Sequence, residues 1–238
     1  METRKRYIPA ALASGIFAVI IGHLAYRETW GEQTEAVGVH EETPAADPVE
    51  PFTDSERNQI YRSFDSIKAY WESQGVPLET SLVILENTET YVCGEGPDQR
   101  VVTAQADAGT AYCRPADTII MTDGTADLLR DRADQLGTWN SAMLSTIIGH
   151  EFGHVVQKAH TLQHTVADLQ TYRQHELQAD CLSGQAVASV DPTYALLGEN
   201  YSELFREDNL HGTPQQREEH FLMGAVGVDC QSLVVETD

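Results

Sequence analysis

Apolar positions along this chain follow two patterns, one recurring every three to four residues and one continuous over a few residues. Ile60, Phe64, Ile67 and either Tyr70 or Trp71 hold the first pattern. Thr53-Asp-Ser-Glu56 ahead of them has the form of a capping box, so a helix is predicted from there to about Gln74. Leu144, Ile148, Phe152 and Val155 hold it again, in a helix predicted over roughly 140–159. Further helices are predicted over about 125–136, 165–189 and 192–205, the first of them opened by a turn at Asp123-Gly124. The last helix begins at Thr213, with Pro214 at its first position and Gln216 completing a cap. Leu82–Asn87 and Thr118–Thr122 are apolar and β-like. The pattern predicts an α+β fold, mainly helical with a small β region, and contains no internal repeat.

The first 27 residues read differently. Tyr7–Tyr26 is apolar apart from Ser14 and His23, a length that suits a membrane-spanning helix of about 17–25 residues. A cleaved signal peptide ending at Ala25 is the alternative, but His23 occupies the position that should be small. Arg4, Lys5 and Arg6 put the N-terminus in the cytoplasm and the rest outside, anchored by a single pass. Residues 31–51 then hold six carboxylates, no Lys or Arg, no aromatic residue, and Pro44, Pro48 and Pro51. Such a stretch cannot bury enough apolar surface to order itself. The expected organisation is an anchor over 1–27, an acidic stalk over 28–52 and one domain over 53–238.

Composition narrows the partners and the compartment. The formal charge of −22 argues against nucleic acid, whose binding needs a basic footprint. It suits cationic peptides, and equally a chain made acidic for solubility. All four cysteines follow the apolar segment, and four cysteines allow three pairings. Cys93–Cys113, bracketing a short β region, and Cys181–Cys230, tying a long helix to the C-terminal one, are the favoured pairs. They fit an oxidising compartment. The competing reading leaves Cys181, next to Asp180, as a free thiol or metal ligand.

Candidate chemistry sits in Ile147-Ile-Gly-His-Glu-Phe-Gly-His-Val-Val-Gln157, where His150, Glu151 and His154 form an H-E-x-x-H frame. On a helix, side chains four apart lie about 40° from each other, so both imidazoles can face one metal ion. Glu151 falls beside that ion, where a general base for a metal-activated water belongs. A catalytic zinc needs a third protein ligand. Glu176-Leu-Gln-Ala-Asp180 supplies a candidate in Glu176, and Asp180, one turn on, is placed to orient a histidine. His160 is the rival, spaced as in H-E-x-x-H-x-x-G-x-x-H, but Gln157 stands where that motif needs glycine to break the helix. A continued helix points His160 away.

Three runs together, His150 to Gln157, Glu176-Leu-Gln-Ala-Asp-Cys-Leu-Ser-Gly184 and His211-Gly-Thr-Pro-Gln-Gln-Arg217, resemble the neutral zinc metallopeptidases. Tyr112-Cys-Arg-Pro-Ala-Asp-Thr-Ile-Ile120 resembles the same family, and the likeness covers roughly residues 54–232. It implies a zincin-like domain with a gluzincin-type site, in which His150, His154 and Glu176 match the zinc ligands and Glu151 the catalytic carboxylate. Gly149 departs from it, standing where alanine is more usual. Val155 replaces a frequent histidine, and the family's glycine-rich N-terminal stretch is missing.

An oxyanion needs a stabilising group. His211, just ahead of the last helix, is the candidate, with Arg217 a further one; Tyr201 has suitable chemistry but no telling position. The expected function is an extracytoplasmic, membrane-tethered zinc endopeptidase acting on a peptide or protein. The alternatives are a non-catalytic zinc- or peptide-binding envelope protein, in which Cys181, His160 or His175 closes the metal's fourth position, and an amidase for cell-wall amides.

Overall fold

The computed structural model describes residues 50–86, 88–96, 99–104, 110–136, 141–160, 169–191 and 210–233, all within one compact unit, Asp47–Asp238. The apolar run Tyr7–Tyr26, most of the acidic stalk, Tyr201 and the helix expected over 192–205 lie outside the described residues. Among the described residues no helix is long and apolar enough to cross a membrane.

Helix α1 (Asp54–Ser73) opens as its sequence indicates. Thr53 Oγ1 accepts from the Glu56 amide, while Glu56 Oε2 accepts from the Thr53 amide at 2.6 Å. Its inward face is Ile60, Phe64, Ile67 and Trp71; Tyr70 stays partly exposed. Phe52, at the end of the expected stalk, is already buried in the core. Five strands follow: β1 (Ser81–Leu85), β2 (Thr90–Cys93), β3 (Arg100–Thr103), β4 (Ala111–Cys113) and β5 (Thr118–Thr122). β1 and β5 pair in parallel and β4 adds antiparallel to β5, while β2 and β3 form a separate hairpin. The Cys93–Cys113 disulfide ties that hairpin to the three-stranded sheet.

Strand β5 is buried along its whole length. Alternation sends Ile119 and Met121 to the helical side and Ile120 to a smaller cluster with Leu85, Val102, Ala104 and Cys113. The strand passes straight into α2 (Asp123–Leu136). Asp123-Gly124, expected as a turn, therefore forms the first residues of that helix, where a carboxylate complements the exposed amides.

The helical layer holds the main core. α3 (Ser141–Ala159) and α4 (Leu169–Val190) pack on each other and on α1, and α5 (Pro214–Ala225) packs on α4. Leu144, Ile148, Phe152 and Val155 of α3 meet Phe64 and Ile67 of α1, Leu182 and Val187 of α4 and Phe221 of α5. The Phe64 and Phe152 rings lie 5.1 Å apart. α5 opens with its own capping box at Thr213 and Gln216 and with Pro214 in its first turn. The second disulfide joins Cys181 of α4 to Cys230 in the final 3-10 turn (Cys230–Leu233). Both pairs are those the cysteine positions favoured, so Cys181 is neither a free thiol nor a metal ligand.

Candidate metal centre

Helices α3 and α4 approach closely because the residues between them are small. A Cβ on Gly153 would stand 2.7 Å from both Cα and the carbonyl oxygen of Ala179. One on Gly149 would stand 2.6 Å from Ser183 Oγ, a hydroxyl fixed by donating to the Thr146 carbonyl. That contact accounts for glycine where alanine is more usual. The close crossing lets the acidic face of α4 reach the histidines of α3.

His150, His154 and Glu176 meet there, with one potential ligand atom of each lying within 4.8 Å of the other two. Glu176 Oε2 is 3.1 Å from His150 Nε2 and 3.4 Å from His154 Nε2. The opposite ring nitrogens are both tied down. His150 Nδ1–H donates to Asp180 Oδ1 at 2.8 Å, and His154 Nδ1–H donates to Gln157 Oε1 at 2.9 Å. With Nδ1 carrying the proton on each ring, Nε2 is the nitrogen free to bind a cation.

Asp180 is fully buried, and Arg217 grips both its oxygens, through Nε at 2.9 Å and Nη2 at 2.8 Å. Arg217 thus serves behind His150. It is itself only 3% exposed, with its guanidinium engaged by Asp180. His211 does face the cluster: its Nε2 lies 3.4 Å from Glu176 Oε2, and about a third of the side chain is exposed, at 32%. Gly212, with φ 95°, provides the left-handed turn between this histidine and the α5 cap.

Burial alone would strip protons from the histidines and return them to the carboxylates, but the pairings outweigh it. His150 loses by burial and gains more from Asp180 and Glu176, which push it up to about 10. Burial lowers His154 too, and the charge of Glu176 raises it further. Glu176 is pushed up by burial yet held far below the usual carboxylate range by His154 and His150. Asp180 is held low against its burial by Arg217 and His150. A pair of imidazoles converging with a carboxylate is therefore a site that protons occupy in the absence of a cation, and a divalent metal can displace them. Two nitrogens and one oxygen are donors that zinc accepts.

A family model described as "Putative neutral zinc metallopeptidase" matches residues 65–205. The chain belongs to this family. Comparison with curated proteins and with solved structures gave no match. The matched span of the zinc metallopeptidase model contains the H-E-x-x-H helix and Glu176, and it ends ahead of His211 and Arg217. The metal that family membership and donor set together indicate is zinc.

Glu151 is buried beside the cluster, and its charge acts on both His154 and Tyr172. His160, the rival third ligand, sits exposed at the end of α3 with Nε2 against Gln231, outside the cluster. Tyr172 escaped the sequence reading: burial together with the nearby Glu176 carboxylate pushes its phenol up to about 12. Its position one turn before Glu176 is a signal that could have found it. Gln157 and Gln178 escaped as well, and no spacing rule links amides on different helices.

Proposed function

We propose that the chain is a zinc-dependent peptidase whose metal is held by His150, His154 and Glu176 and whose general base is Glu151. The observation that carries this is the convergence of both Nε2 atoms on the Glu176 carboxylate, each imidazole backed at Nδ1 by a hydrogen-bond acceptor. Among the described residues no fourth His, Cys, Asp or Glu joins the group, and a three-donor set is the hallmark of catalytic rather than structural zinc. When bound, zinc supplies Lewis-acid polarisation of a carbonyl and lowers the pKa of a water.

The chain's own residues supply the rest. Glu151 takes the proton of the attacking water and delivers it to the leaving amine nitrogen. His211, exposed at the rim of the cluster, donates a hydrogen bond to the oxyanion. Tyr172, one turn before Glu176, sets its phenol close enough to feel that carboxylate. Cleavage inside a chain, rather than at its end, fits a catalytic domain that acts on proteins. An extracytoplasmic, membrane-tethered location is supported by Arg4-Lys5-Arg6 ahead of the apolar run Tyr7–Tyr26. It is also supported by the two disulfides, which last in oxidising compartments. The acidic balance favours cationic peptide substrates.

Glu151→Gln tests the base. The variant should keep about one zinc per chain and lose peptide cleavage by about 10²–10⁴-fold. Turnover at the wild-type rate, or loss of zinc with the carboxylate, removes Glu151 from that role.

A further inference from the structure

A buried chain of amides runs from His154 to the C-terminal disulfide. His154 Nδ1 faces Gln157 Oε1 at 2.9 Å. Gln157 Nε2 donates to the His175 carbonyl and to Gln178 Oε1, both at 2.9 Å. Gln178 Nε2 donates in turn to the Cys230 carbonyl at 3.0 Å. Gln157 and Gln178 are 5% and 3% exposed, so both amides depend chiefly on protein partners. Cys230 is held by its bridge to Cys181, three residues beyond Gln178 on the same helix.

The polarity of this chain is fixed from its far end. Backbone carbonyls accept and cannot donate. The Cys230 carbonyl therefore requires the NH₂ of Gln178, which turns the Gln178 oxygen toward Gln157. The His175 carbonyl independently requires the NH₂ of Gln157. Both constraints agree, and both leave the Gln157 oxygen facing His154, so Nδ1 must carry the proton and Nε2 the lone pair. Flipping either amide would set donor against donor or acceptor against acceptor between buried groups.

We propose that Gln157 and Gln178 are positioning residues for His154, and that the Cys181–Cys230 disulfide governs the grip of His154 on the metal through them. The proposal rests on the zinc reading of the site. With the bridge closed, the Cys230 carbonyl is pinned against α4 and the relay keeps its polarity. With the bridge opened, the terminal turn loses its tether, Gln178 loses the partner that orients it, and Gln157 keeps only the His175 carbonyl to hold its oxygen toward His154. A buried crosslink in the C-terminal turn is thereby coupled to a candidate ligand on α3.

The test uses the full-length chain, with zinc affinity measured by competition against a chromophoric chelator and the ligand field by the absorption spectrum of the cobalt(II)-substituted protein. Gln178→Met keeps the volume of the side chain and removes the relay without touching a ligand. It should weaken zinc binding by about 10–100-fold, the usual effect of losing an outer partner of a metal-bound histidine, and should shift the cobalt spectrum. Ser63→Ala, which removes a buried hydrogen bond to Ser145 elsewhere in the core, should leave both readings at wild type. The paired change Cys181→Ala with Cys230→Ala should weaken zinc binding to a similar degree. In the Gln178→Met background it should add little, because the two act along one path. Wild-type affinity in Gln178→Met, or fully additive losses, overturns the relay while leaving the metal site intact. A wild-type chain that binds no zinc overturns the metal reading and the relay together. If the cysteine pair fails to fold, the contrast between Gln178→Met and Ser63→Ala still decides.

Discussion

His150 is bracketed by two carboxylates, Asp180 at Nδ1 and Glu176 at Nε2, and this gives the zinc-free chain an unusual alkaline response. Its folded-state value is pushed up to about 10, against an ordinary histidine value of 6.5. Between these two pH values the folded chain holds a proton that the unfolded chain has released. Stability therefore falls as pH rises, with the full contribution present below about 6.5 and lost through about 10. His154 is raised too and adds to the same sign. Chemical denaturation of the chelated chain across this window should show the decline, and saturating zinc should abolish it, because Nε2 then holds metal in place of a proton. A flat zinc-free profile would show that Asp180 and Glu176 do not retain that proton. Arg217 belongs to the same arrangement: without its bidentate hold, Asp180 would be a buried charge lacking compensation, and burial would push its proton back on.

The approach of α3 to α4 decides whether the donors meet at all, and it depends on Gly153 inside the H-E-x-x-H frame. Gly153→Ala places a methyl 2.7 Å from the Ala179 backbone, a contact no rotamer can relieve. The helices must part, at about 1–3 kcal/mol or somewhat more. Because Glu176 and Asp180 ride on α4, zinc affinity should fall together with stability. Urea titration and chelator competition on the same sample check this; a stability loss with unchanged zinc affinity would mean that α4 tilts without moving Glu176.

The sequence made much of this visible and hid the remainder for identifiable reasons. Capping boxes at Thr53 and Thr213, and the helical recurrence of Ile60, Phe64, Ile67 and Leu144, Ile148, Phe152, are local signals, and the helices start and face accordingly. The H-E-x-x-H geometry is fixed by helical pitch alone, so it was legible too. Strands β2, β3 and β4 span only three or four residues with mixed exposure, too short for a period to register. Arg217 stands in the sequence only as a further oxyanion candidate, because arginine is rarely buried unless paired and its pair lies 37 residues away on another helix. The glutamine relay is set by backbone carbonyls at the ends of folded elements, and those have no signature in a string of residues.

Zinc, in this architecture, is expected to brace a fold that already stands. The core joining α1, β5, α3, α4 and α5 contains Ile60, Trp71, Phe152 and Phe221 at 2% exposure or less. α4 is also crosslinked to the C-terminal turn by Cys181–Cys230. Chelation should therefore leave a cooperative native domain rather than an unfolded chain, unlike small zinc modules whose folding free energy is the metal's. Binding that favours the folded state adds stability as the logarithm of free zinc over its dissociation constant, about 4 kcal/mol at a thousandfold excess. For a domain of this size that corresponds to a rise in Tm of roughly 8–16 °C. Paired thermal melts, with chelator and with saturating zinc and without reductant in either, should give two sigmoidal transitions separated by that interval. Loss of near-UV dichroism and of a cooperative melt on chelation at 25 °C would mean that the metal organises the core, and that the approach of α3 to α4 follows from zinc binding instead of preparing for it.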